Sequence, residues 1–173
     1  MMLGSVIKYF WKLKSALSLV VLIVFGIVNS WTAIGQTSNE DSAIQEINSM
    51  LNEWHGLAAV GDSTFFDRFD NESFYLGTDA KEIWTLQEFK DFALPYFKRG
   101  SAWSFKTKSR NVYLGTYGNY AWSDEVLDTW MGLCRGTCVM EKKEKHWVIK
   151  HYSLTVLVSN KLIKDYVKLL DQN

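Results

Sequence analysis

The chain has no excess of charge: 19 Lys and Arg balance 19 Asp and Glu, for a formal net charge of zero. A neutral chain has no electrostatic hold on a phosphate backbone, and no basic stripe is interleaved with stacking aromatics, so nucleic acid is excluded as a partner. The cluster Lys142-Lys143-Glu144-Lys145 is short and mixed in sign, and it reads as the solvated turn of a hairpin. A Gly-rich phosphate loop, a His-Glu-x-x-His pair, a nucleophile elbow and a framed Cys-His dyad are all missing. Internal repeats and low-complexity tracts are missing too. Cysteine is scarce, with only Cys134 and Cys138. On one extended strand their α-carbons would stand about 13 Å apart, beyond disulfide reach, unless a bulge or turn at Gly136 closes the gap. No His lies nearby at ligand spacing, so a metal pair is disfavoured, and buried structural thiols are favoured over a disulfide. The single proline, Pro95, falls inside a helical pattern, where it kinks the helix or ends it early.

Against these absences stand 47% hydrophobic and 15% aromatic residues, enough for a substantial core and against disorder. Residues 1–35 read as a signal peptide. Lys8, Lys12 and Lys14 form a positive n-region, Ala16 to Val28 an apolar h-region, and Ala33-Ile34-Gly35 a small-residue cleavage site. The apolar run is shorter than the roughly 20 residues of a membrane span, so cleavage is favoured, with an uncleaved anchor as the alternative. The expected destination is therefore outside the cytoplasm, periplasmic or secreted, with membrane contact only through an uncleaved leader.

Residues 36–41 read as a polar linker. Asp41 or Ser42 caps a helix running to about Val60, with Ile44, Ile47, Met50, Leu51, Trp54, Leu57 and Ala58 at helical spacing. Gly61 ends it, and Asp62 or Ser63 caps a short second helix. Glu72 to Leu76 is a short strand. Thr85, with Glu88 as its capping-box partner, opens a third helix to about Arg99. Four strands are then expected: Trp103–Leu114, Tyr120–Trp130, Arg135–Glu141 and His146–Val158. A last helix, Lys161 to Leu170 within 161–173, is capped by Asn160. Helices followed by strands mean an α+β fold: a curved antiparallel sheet with three N-terminal helices on its concave face.

Several runs carry a family resemblance. They are Trp54 with Gly61-Asp62, Phe74-Tyr75-Leu76-Gly77-Thr78-Asp79 with Glu82-Ile83-Trp84, and Ala121-Trp122-Ser123-Asp124-Glu125. Arg135-Gly136-Thr137 and Trp147-Val148-Ile149-Lys150-His151-Tyr152-Ser153 complete the set. In this order and spacing, residues 42–160 resemble the SnoaL-like branch of the nuclear transport factor 2-like superfamily. The resemblance implies a cone-shaped α+β fold with an internal pocket. That superfamily holds isomerases, dehydratases, cyclases, epoxide hydrolases and non-catalytic binding modules, so the chemistry does not follow from the fold.

Strand parity, with turns placed at Lys143-Glu144 and Gly132, puts Thr137 opposite His151, Val139 opposite Ile149, Arg135 opposite Ser153 and Glu125 opposite Val139. Glu125, Arg135 and His151 then project into one cavity. A slip of one residue moves every side chain to the other face. His151 titrates near neutrality and suits proton transfer. Glu125, buried among Trp103, Trp122 and Trp147, is expected to have a raised pKa and to act as acid or base. Arg110 or Arg135 would hold an anionic ligand group, and Tyr75, Trp84, Tyr96, Phe97 and Trp103 would line the pocket. Against this stands a self-satisfied buried Glu–Arg or Glu–His pair. His55 reads first as a packing residue. Three functions remain: a module binding a small, partly apolar molecule, a cofactor-independent isomerase, dehydratase or hydrolase using His151 and Glu125, and an interaction module. The last would form a homodimer through the convex sheet face, where Trp122, Val126 and Trp130 lie by parity.

Overall fold

Helical spacing of apolar residues is what builds the first element. The computed structural model describes residues 39–171; the stretch read as a signal peptide and the first residues of the expected linker lie outside them. The elements that carry the site belong to the compact unit that begins at Ile44. Helix α1 spans residues 39–60 and buries Ile47, Leu51, Trp54 and Ala58. It is already helical at residue 39, inside the stretch read as linker, so Asp41 and Ser42 lie within the helix rather than at its cap. Gly61 ends it with φ +68°, and a side chain there would strike the Phe97 carbonyl. Asp62 then caps a 3-10 helix, Ser63–Arg68, by accepting the Thr64 N–H at 2.9 Å.

Strand β1 (Phe69–Leu76) pairs with a short strand, β2 (Ile83–Thr85), that the sequence pattern did not single out. Helix α2 (Leu86–Phe97) begins with the expected capping box: Thr85 accepts from the Glu88 N–H, and the Glu88 carboxylate accepts from the Thr85 N–H. Pro95 sits in its last turn and the helix stops two residues later, at Phe97. Four long strands follow: β3 (Lys106–Leu114), β4 (Tyr120–Thr129), β5 (Gly132–Lys143) and β6 (His146–Val156). A final helix, α3 (Ile163–Leu170), has no buried residue; its N-cap is Leu162, without a side-chain cap bond, and not Asn160.

The six strands form one curved, unclosed sheet in the order β2-β1-β6-β5-β4-β3. All neighbours are antiparallel except β1 and β6, which are parallel. The last strand thereby lies between the early β1–β2 hairpin and the β3–β4–β5 meander. The inward face carries Ala121, Ser123, Glu125 and Leu127 from β4, and Cys134, Cys138 and Met140 from β5. Cys134 and Cys138 are both buried free thiols, on the same face of one strand.

Register is where the structure departs most from the sequence pattern. The β5–β6 turn is centred on Glu144-Lys145, because Lys143 pairs with His146; Glu144 has φ 53°. A bulge at Lys150 then shifts the pairing between Val139 and Met140. Val139 therefore faces His151, Thr137 faces Ser153, Arg135 faces Thr155, and Glu125 faces Gly136. Trp147 and Ile149 point inward as expected, but the bulge turns His151 to the outer face.

The capping box gives a test of this helix-by-sequence logic. Thr85→Ala should lower stability by about 1 kcal/mol and Thr85→Ser by much less. Urea unfolding would measure both, and an alanine variant as stable as wild type would contradict the box.

Candidate functional site

Glu125 is the centre of the buried polar chemistry. It is 2% exposed, and its carboxylate accepts from three elements. His55 of α1 donates through Nε2 to Oε1 at 2.8 Å, and the Tyr152 hydroxyl of β6 donates to the same oxygen at 3.1 Å. Arg110 of β3 donates to Oε2 through Nε at 2.9 Å and Nη2 at 2.8 Å. A carboxylate has about four acceptor positions, so none is left over. A carboxylate only accepts, which fixes the proton of His55 on Nε2.

The arginine is equally committed. Its Nη1 donates to the Asn52 side-chain oxygen at 2.8 Å and to the Asn48 carbonyl at 3.2 Å, and its Nη2 reaches the Thr107 hydroxyl at 3.3 Å. Asn48, Asn52 and His55 lie on one stripe of α1, at positions i, i+4 and i+7, beside the buried stripe. Gly136 completes the arrangement. It faces Glu125 across the β4–β5 pairing, and a β-carbon there would collide with the Tyr152 hydroxyl and crowd Glu125 Oε1 at 3.0 Å. Glycine is what lets the tyrosine reach the carboxylate.

Electrostatics follow from this geometry. Burial pushes the Glu125 carboxyl pKa up, but the hydrogen bond and charge of His55 and the guanidinium of Arg110 outweigh it, so the net shift is downward from 4.5. The expected raised pKa is corrected: an arginine, not a wall of tryptophans, surrounds the carboxylate, and Trp122 is on the other face. Burial, together with the Glu125 charge, raises the Tyr152 phenol and the Cys138 thiol well above their ordinary values, so both stay protonated.

A separate cleft of about 150 Å³ lies next to this cluster. Tyr75 of β1 forms the boundary: its ring stacks on Tyr152 at 5.5 Å and on Phe89 of α2 at 3.9 Å. Trp84 of β2 and Phe92 of α2, themselves stacked at 4.7 Å, continue the wall. Trp103 and Phe105, in the segment before β3, and Trp130, in the β4–β5 turn, supply the rest of the aromatic lining. Glu125 does not line this cleft. Small ligand pockets typically span roughly 300–1,000 Å³, so this one suits a small molecule or one end of a larger one.

The residues singled out from the sequence thus fall in three places. Tyr75, Trp84 and Trp103 line the cleft, while Glu125 and Arg110 are bound to each other. His151, Arg135 and Tyr96 are elsewhere. His151 and Arg135 point away from the interior because of the turn position and the Lys150 bulge. Tyr96 is 38% exposed on α2, under the Arg99 guanidinium at 5.0 Å. The pairing of His151 with Glu125 is therefore replaced by His55 with Glu125. Phe97 packs in the core against Phe65 and Phe66. Tyr152, Phe89, Phe92, Phe105 and Glu82 were not singled out; for the first four, aromatic identity alone does not separate lining from core.

The outer face of the sheet carries its own row. Register places Phe74, His151, Val139, Trp122 and Tyr113 side by side across five strands. Phe74, Trp122 and Tyr113 are nearly half exposed, and the last two stack at 5.7 Å. Val126 shares this face, whereas Trp130 belongs to the turn at the cleft.

Residues 47–159 match the model of the SnoaL-like domain family. No curated protein matches the sequence. Solved structures share the fold at low identity. An NTF2-like protein of unknown function from Pseudomonas putida aligns with a TM-score of 0.58 at 11% identity, covering 70% of this chain and 91% of that one. A candidate dehydratase of the NTF2-like family from Streptomyces avermitilis aligns at 0.59 and 11%, covering 69% and 99%. An uncharacterised protein with a cystatin-like fold from Caulobacter vibrioides aligns at 0.56 and 12%, covering 72% and 95%.

The buried cluster makes two measurable demands. Glu125→Gln leaves the Arg110 guanidinium buried without its counter-charge and should cost about 3 kcal/mol or more at neutral pH. A carboxyl whose folded pKa lies below its unfolded value stabilises the protein above the unfolded value. That contribution is lost as the pH falls below 4.5 and through the lower folded value. Denaturant titrations across this range should show wild type losing its advantage over Glu125→Gln in acid. A constant difference between the two would contradict the ionised, paired carboxylate.

Proposed function

We propose that this chain, which belongs to the SnoaL-like domain family, is a binding module that takes a small, partly apolar molecule into the aromatic cleft. The observation that carries this reading is the separation of the cleft from the Glu125 cluster. The open, aromatic-walled space contains no acid–base pair, and the buried carboxylate has every acceptor position filled by the protein itself. A general base needs reach to a substrate proton and a pKa near the working pH; Glu125 has a lowered pKa and does not line the cleft.

The second reading is a proton-transfer enzyme of isomerase, dehydratase or hydrolase type. The 2.8 Å contact between His55 and Glu125 favours it, since a carboxylate that orients an imidazole is a common catalytic pair. It requires His55 to meet a substrate from the side of Phe105, whose ring lies 6.1 Å away. In this proposal the outer row of Phe74, Val139, Trp122 and Tyr113 is covered by a second copy, because a monomer would leave those rings in water. The leader read in residues 1–35 directs the protein out of the cytoplasm.

One experiment addresses these points together: native mass spectrometry of the protein from its own host. A dimer lacking residues 1–35 and carrying a small molecule is expected. Trp84→Ala should lose the molecule and keep the dimer, and Trp122→Asp should lose the dimer and keep the molecule. A ligand-free wild type whose His55→Ala variant alone loses turnover of a carbonyl or hydroxy substrate would move the assignment to the enzyme.

A further inference from the structure

We propose that the cleft is a site for a small methylated ammonium cation, seated against the aromatic rings and held by the Glu82 carboxylate. The inference rests on the reading of the cleft as the ligand site and adds its chemical class.

The lining carries one sign of charge. More than half of it is aromatic, and among the described residues that line it Glu82 alone is charged. That carboxylate is fixed in place. Its Oε2 accepts the Asp79 N–H at 3.1 Å, and it packs over Gly77, where a β-carbon would occupy the same space. Its backbone is pinned as well, since the Glu82 N–H donates to the Asp79 carbonyl at 2.9 Å and the Gly77 N–H donates to the Glu82 carbonyl at 2.9 Å. Of the other half-buried and buried carboxylates of residues 44–171, Asp124 accepts from the Asn111 side-chain amide at 3.3 Å, and Glu125, Asp70 and Glu141 have cationic partners. Glu125 has Arg110 and His55, and Asp70 has Lys150 at 2.7 Å and Lys143 at 3.5 Å. Among the described residues, no lysine, arginine or histidine lies within ion-pair distance of Glu82. Its charge acts on the cleft wall, where it helps burial raise the Tyr75 phenol pKa.

Each class of ligand can be weighed against these walls. An anion would meet a carboxylate and no cation. A purely apolar ligand would strip water from Glu82 without replacing it, which is unfavourable for an ionised group. A primary ammonium needs three acceptors, and beyond Glu82, Thr78 and the Tyr75 hydroxyl the side chains of the lining offer no oxygen. A methylated ammonium needs none: it spreads its charge over apolar methyl groups and is attracted to the faces of Trp, Tyr and Phe. The volume agrees, because about 150 Å³ is the scale of a cavity that takes up benzene, with room for a trimethylammonium head.

Calorimetric titration of the full-length protein tests this. The probes are choline and 3,3-dimethyl-1-butanol, its neutral carbon isostere. Choline should bind at least about tenfold more tightly, and Glu82→Gln should weaken choline by about tenfold while leaving the alcohol unchanged. Glutamine still accepts the Asp79 N–H, so the loop is kept, and far-UV circular dichroism checks it. Equal affinity for the two probes, or no effect of Glu82→Gln, overturns the ammonium assignment while the cleft remains a ligand site. Binding of neither probe and of no phosphatidylcholine vesicle overturns both. The cation can come as a free molecule or on a lipid head. Glu82-dependent binding to phosphatidylcholine vesicles and not to phosphatidylglycerol vesicles, with no heat from free choline, assigns it to the lipid; heat from free choline assigns it to the soluble compound.

Discussion

A single buried negative charge organises the interior of this domain. Glu125 sits on β4, and the groups that neutralise it come from α1, β3 and β6. An unpaired carboxylate in such a place would be unfavourable by several kcal/mol, so the fold is obliged to bring those three elements together. Helix α1 must present His55 as well as its apolar stripe, and β5 must carry a glycine at 136 to let Tyr152 through. The arginine, in turn, ties β3 to α1 through Asn48 and Asn52. The polar cluster therefore specifies how the helix is seated on the sheet, while the surrounding rings of Trp54, Phe65, Phe69 and Tyr152 supply most of the apolar burial.

That economy bears on function. Groups that satisfy one another completely have little left for a substrate, and the carboxylate most attractive as a catalytic base is the one most fully engaged. Next to this cluster, aromatic walls and a differently placed acid, Glu82, define a small space, and Tyr75 of its wall stacks on Tyr152. Glu125 is engaged by Arg110, His55 and Tyr152, whereas Glu82, at the cleft, has no cationic partner among the described residues.

Much of the fold is written locally. The helical spacing along α1, the Asp62 cap, the Thr85–Glu88 box and the order of strands all follow from short-range preferences. The inward placement of Glu125 and the outward placement of Trp122 also follow from simple alternation. The site was less legible because it depends on pairing rather than spacing. The bulge at Lys150 and a turn one residue later than expected reversed His151 and Arg135, and nothing in the residues around them announces an extra residue in the strand. His55 could have been found: Asn48, Asn52 and His55 form a polar line beside the apolar stripe of α1, a pattern that a solvent-facing stripe does not require. The parallel pairing of β1 with β6 is a long-range contact that no local pattern encodes.

The central claim is that Glu125 is a structural anion, ionised and fully bonded at neutral pH. Carbon-13 NMR of the labelled side-chain carboxyl, followed through an acid titration, measures this directly. The account predicts a single transition below 4.5 for the Glu125 carboxyl. A Glu125 carboxyl that titrates near neutrality would contradict it, and would return the residue to the role of a catalytic acid or base.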